Sequence, residues 1–119
     1  MTTTKGGKRA DLGGVYFRSA WEANIARYFN LMRIKWEYEP MEFKFEKISR
    51  GCTTYKPDFF LPETKTWVEV KGYMDQRSRT KLDRFKRYYP EEAKNLILID
   101  GTEYRRIQRD FKNRIEGWE

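Results

Sequence analysis

No histidine occurs among the 119 residues, and Cys52 is the only cysteine. An intrachain disulfide is therefore impossible, a Cys/His zinc site is excluded, and no imidazole is on hand as a general base. Acid–base and metal chemistry, where present, must rest on Asp, Glu, Lys and Tyr. No apolar run approaches the roughly 20 residues needed to span a bilayer. The first 14 residues are polar and glycine-containing and lack the apolar stretch of a signal peptide, so an intracellular setting is expected. Only four prolines occur, and Pro40, Pro57, Pro62 and Pro90 each interrupt or end a patterned stretch.

Charge and aromatic rings are plentiful. Lys and Arg number 25 against 18 acids, a net charge of +7, which suggests a polyanionic partner such as nucleic acid. Aromatics reach 17%, so the core is expected to be built on Phe, Tyr and Trp. The length fits one domain.

Residues 1–14 read as a flexible basic arm and 15–119 as the domain. A helix is predicted from about Ser19 to Met32, where Ser19 and Glu22 have capping-box spacing and Trp21, Ile25, Tyr28, Phe29 and Met32 make one apolar face. Alternating stretches follow at Ile34–Glu39 and Met41–Ile48. A strand interrupted near Pro57 spans Tyr55–Leu61, and Thr66–Lys71 follows it across a turn as the second arm of a hairpin. A second helix is expected over Gln76–Tyr89, with Leu82, Phe85 and Tyr89 inward. Leu96–Ile99 reads as a strand buried on both faces, and a last helix runs from Glu103 to about Ile115, burying Tyr104, Ile107, Phe111 and Ile115. The expected architecture is an α/β fold with a mixed central sheet flanked by helices.

The chemistry is concentrated near the hairpin. Glu69 and Lys71 are two residues apart on a strand, hence on one face and roughly 6.6 Å apart, while Val68 and Val70 turn to the core. Asp58, on the partner arm, is within reach of the same face. Two carboxylates and an ammonium would then converge. Magnesium prefers such hard oxygen ligands; Asp58 and Glu69 would supply anionic ones and the Val70 carbonyl a neutral one. Bound metal lowers the pKa of its water, and Lys71 would orient that water and offset charge on a phosphate. Taken singly, Asp58 is also a plausible turn residue, and Glu69 and Lys71 a solvated strand face.

Pro57-Asp58 followed by Glu69-Val70-Lys71 resembles the signature of the PD-(D/E)XK nucleases. The resemblance covers about residues 17–115 and implies a restriction-endonuclease-like αβββαβ core. It implies that Asp58 and Glu69 bind Mg²⁺, with Mn²⁺ able to substitute, and that Lys71 is the catalytic lysine. Arg18-Ser19-Ala20-Trp21-Glu22 is similar to the first-helix element that completes the metal site in many members, which makes Glu22 a metal candidate as well as a capping residue. Expected DNA contacts are Arg18, Tyr73, Gln76, Arg77, Arg79 and Lys81, with Tyr73 either stacking on a base or merely packing. The Arg and Lys residues of the last helix read as plain surface.

No separate target-recognition module is visible, which favours recognition of DNA shape over sequence. Small single-domain members that resemble this chain include phage and archaeal Holliday-junction resolvases. That likeness implies a homodimer acting on branched DNA, in the cytoplasm of a host cell if the chain is phage-encoded. Two alternatives stand beside it: nicking, restriction-like or transposition-associated cleavage in the same fold, and a non-catalytic nucleic-acid binder.

Overall fold

A computed structural model describes residues 5–119. The regular elements are β1 (Gly7–Arg9), β2 (Val15–Phe17), α1 (Ala20–Leu31), β3 (Glu37–Tyr38), β4 (Phe43–Lys44), β5 (Thr54–Tyr55), β6 (Phe59–Leu61), β7 (Thr66–Lys71), α2 (Gln76–Tyr88), α3 (Pro90–Ala93), β8 (Leu96–Asp100) and α4 (Gly101–Phe111). The central sheet is mixed, with strand order β3-β6-β7-β8. β6 pairs antiparallel with both β3 and β7, whereas β7 and β8 run parallel and are joined through α2 and α3. Such a parallel pair needs a crossover, which the α2–α3 segment supplies.

Period-2 alternation divides the hydrophobic side chains between two sides of this sheet. Phe59, Leu61, Val68, Val70 and Ile99 face α1 and α4, where Phe17, Ile25, Phe29, Tyr104 and Ile107 complete the larger core. Trp67 faces the opposite way into a second cluster with Phe43, Phe45, Tyr55, Phe85 and Ala93. Ring packing dominates both: Trp21 stacks on Tyr104 at 3.9 Å between centroids, and Phe29 meets Phe59 edge-on at 5.3 Å. Two short ladders, β1–β2 and β4–β5, flank the main sheet.

α1 begins where its capping sequence directs. The Ser19 hydroxyl accepts the Glu22 N–H, satisfying one of the free donors of the first turn. Asp75 and Asp100 cap α2 and α4 in the same way.

Several expectations need correction. The stretch read as a flexible arm is ordered from Gly7 onward, while residues 1–4 lie outside the described residues. Long-range ion pairs hold this hairpin. Arg9 donates to the Glu119 carboxylate at 2.8 Å, and Arg27 on α1 donates to Asp11 at 2.7 Å and to Glu119 at 2.8 Å. Arg27 itself is buried, with Asn24 Oδ1 as a further partner. β8 is not buried on both faces. It is the edge strand, leaving Ile97 51% and Leu98 39% exposed. Met32 lies at the C-cap of α1 and is exposed rather than part of the inward stripe. Pro90 does not merely stop α2; it opens α3, at a position where its missing N–H leaves no donor unpaired. Regular helix ends at Phe111, and Ile115 is buried beyond a short 3₁₀ turn. No helix among the described residues is long and apolar enough to cross a membrane.

Candidate functional site

A cleft of about 510 Å³ opens between the start of α1, the Asp58 and Glu69 region of the sheet, and the loop leading into α2. Asp58, Glu69, Val70, Lys71, Glu22, Arg18, Tyr73 and Lys81 all line it. Of the residues expected at the site, Gln76, Arg77 and Arg79 stand outside it, exposed on the first turn of α2. Gln76 donates to Thr80 on its own helix at 3.3 Å, which explains its orientation locally.

Asp58 sits between β5 and β6, after Pro57, and is buried. Its Oδ2 accepts the Val70 N–H at 2.7 Å. This bond locks the carboxyl against β7 and leaves the other oxygen facing Arg18, whose guanidinium lies 3.9 Å away. Glu69 projects from β7 on the side of the second cluster, where the Tyr55 hydroxyl donates to its Oε1 at 2.7 Å. Glu22 is held on both oxygens: the Ser19 hydroxyl donates at 2.6 Å and the Tyr38 hydroxyl donates to the other. The first-helix glutamate therefore takes part in the cap and also faces the cleft.

Burial dominates the electrostatics. Asp58 is pushed well above the usual carboxylate range by desolvation, then by the charges of Glu69 and Glu22, against the opposing Val70 N–H and Arg18. Glu69 is raised to about 7, again chiefly by burial, with the Tyr55 hydrogen bond and the Lys71 charge pulling the other way. Tyr55 is raised by its own burial and by Glu69, so it remains a hydroxyl donor.

Glu39 and Tyr55 were missed by sequence reasoning. Oxygens of Glu22, Glu39 and Asp58 all lie within 4.8 Å of one another. Glu39 has a left-handed backbone, φ 47°, just before Pro40, and its N–H is donated to the Asp58 carbonyl at 2.8 Å. Its carboxylate forms an ion pair with Arg18. Arg18, expected to contact DNA, stays largely exposed while reaching Glu39 and, at 3.9 Å, Asp58; its partial burial lowers its pKa, but the Glu39 charge, the Tyr38 hydroxyl and the Glu22 charge outweigh that and raise it. A non-glycine residue in the left-handed region before proline is the one signal that marked Glu39 out, and it is invisible until the backbone is traced. Tyr55 was read as an ordinary strand residue because alternation alone does not reveal what its hydroxyl meets.

The donor set suits a hard divalent ion. Among the described residues, the carboxylates whose oxygens lie close enough to share one ion are those of Glu22, Glu39 and Asp58; Glu69 lines the same cleft outside that group, and Asp58 and Glu69 bear raised pKa values that an adjacent cation would relieve. Comparisons with protein-family models, curated proteins and solved structures return no match for this chain.

Proposed function

We propose that this chain is a metal-dependent DNA endonuclease that hydrolyses phosphodiester bonds, with branched DNA as its preferred substrate. The observation that carries the reading is that Asp58, Glu69 and Lys71 line one cleft, with Asp58 buried and Glu69 half-buried and both carboxyls raised in pKa. Perturbed titratable groups in a cleft are a mark of chemical sites. A purely structural strand face would leave Glu69 solvated rather than hydrogen-bonded beneath Tyr55. With the separate β4–β5 ladder and the short α3 set aside, α1, the main-sheet strands β3, β6 and β7, α2 and β8 follow the αβββαβ order of the PD-(D/E)XK nucleases, which supports the finer fold reading.

Asp58, Glu69 and Glu22 would hold Mg²⁺ or Mn²⁺, with the Val70 carbonyl as a neutral ligand. When bound, the ion acidifies water and neutralises phosphate charge. Lys71 orients the attacking water and offsets negative charge building on the phosphate. Tyr55 fixes one Glu69 oxygen, and Ser19 and Tyr38 fix Glu22, so these carboxyls need little reorganisation on loading. Lys56 and Lys81 at the cleft supply cations for the flanking phosphates, and the exposed basic start of α2 (Arg77, Arg79) extends that surface. A homodimer and a cytoplasmic setting come with the likeness to junction resolvases.

Digestion of four-way, flap, nicked and plain duplex DNA in Mg²⁺ tests the proposal. The wild-type chain should cut the branched DNAs best, and Lys71→Ala should abolish cutting while sparing binding. Failure to cut any of them in Mg²⁺ or Mn²⁺ refutes the nuclease reading. Equal cutting of plain duplex refutes the branched preference.

A further inference from the structure

Tyr73 is the most exposed large hydrophobic side chain of the described residues, at 78%. Tyrosine rings normally gain stability by burial, so a ring left in water beside a cleft invites a functional explanation. It does not hang on a slack loop. Gly72, immediately before it, packs so closely on the Trp21 ring that a Cβ there would come within 3.0 Å of it. At the other end, Asp75 caps α2 by accepting the Ser78 N–H at 2.7 Å. Tyr73 and Met74 are thus held between two fixed points, and Tyr73 lines the same cleft as Lys71, two residues away.

The surroundings suit a nucleic-acid strand. Lys56, Lys71 and Lys81 line the cleft and attract phosphates, while an aromatic face offers sequence-tolerant stacking; together these make the usual single-strand binding surface. Inside a regular duplex both faces of each base are already covered. A base at a branch point, flap or gap has a free face to offer, and extruding it requires little unstacking.

We infer that Tyr73 is a stacking platform for an unpaired base next to the scissile phosphate, which makes DNA with an unstacked nucleotide at the cut site the preferred substrate class. This rests on the nuclease reading of the same cleft. Tyr73 is here a specificity-determining residue and takes no part in proton or phosphoryl transfer.

The test uses the full chain and flap or four-way DNA carrying 2-aminopurine at the nucleotide beside the branch, titrated without divalent ions. Stacking quenches the probe, so the wild-type chain should quench it. Tyr73→Ala should lose the quench and reduce the preference for branched over plain duplex DNA roughly 5- to 150-fold. Tyr73→Trp should keep both, and thermal melting should show Tyr73→Ala as stable as wild type. Retention of quench and preference by Tyr73→Ala, or no quench by the wild-type chain, overturns the inference. Quenching without any cutting in Mg²⁺ sinks the nuclease reading alone, and cutting with an unaltered preference in Tyr73→Ala sinks the stacking alone.

Discussion

Burial of Glu69 links stability to pH in a direction opposite to that of an ordinary salt-bridged carboxylate. Its pKa rises from 4.5 to about 7 on folding, so the folded chain favours the protonated form. The stability this provides is complete below pH 4.5 and is lost as pH rises toward 7. A shift of this size corresponds to about 3.4 kcal/mol in full, of which about 2.5 kcal/mol develops between pH 5 and 8. Glu69→Gln removes that titration while keeping an oxygen to accept the Tyr55 hydroxyl. The amide has its own burial penalty, but that penalty does not change with pH. The variant should therefore gain about 2.5 kcal/mol on wild type between pH 5 and 8, near 10 °C in Tm for a domain of this size. The Glu69 charge is also among the causes of the raised Asp58 pKa, so its removal adds to the difference in the same direction. Urea titrations in chelator, followed by tryptophan fluorescence at several pH values, measure it. A flat difference between the two proteins, or a wild type that grows more stable across this range, refutes the burial account of Glu69.

Two further substitutions probe the scaffold. Phe85→Ala empties a fully buried site among Phe43, Tyr55 and Tyr89 and should cost about 3–5 kcal/mol in denaturant unfolding, with a matching fall in Tm. Arg27→Ala strips Asp11, Asn24 and Glu119 of a shared buried partner and should cost about 3 kcal/mol. Hydrogen exchange should show the loss of protection concentrated in β1 and β2 rather than β7; uniform loss would contradict the clamp.

What was legible in the sequence was local. The cap at Ser19, the alternation of Thr66–Lys71 and the stripe of α2 depend on neighbours within a turn or a strand, and each of those elements lies where the pattern placed it. The proximity of Asp58, Glu69 and Lys71 followed from a hairpin, another short-range object. The β1–β2 hairpin was hidden because β1, Gly7-Lys8-Arg9, carries no strand signal, β2, Val15-Tyr16-Phe17, is too short to show a period, and its anchors, Arg27 and Glu119, are distant along the chain. β8 was misjudged because a run of Leu and Ile looks the same at the edge of a sheet as in its middle. Glu39 reaches the acid cluster through the pairing of β3 with β6, a contact between segments that no spacing rule connects.

The indole of Trp21 stacks on the Tyr104 ring at 3.9 Å between centroids and also lies close against the backbone at Gly72. Rings do not compress, so this pile acts as a spacer of fixed thickness between the last helix and the cleft wall. Among the described residues α4 lines no part of the cleft, yet through Tyr104 it packs directly on Trp21, which does. A thinner side chain at position 104 would let the wall sag inward, altering the spacing of Lys71 and Tyr73 without touching either.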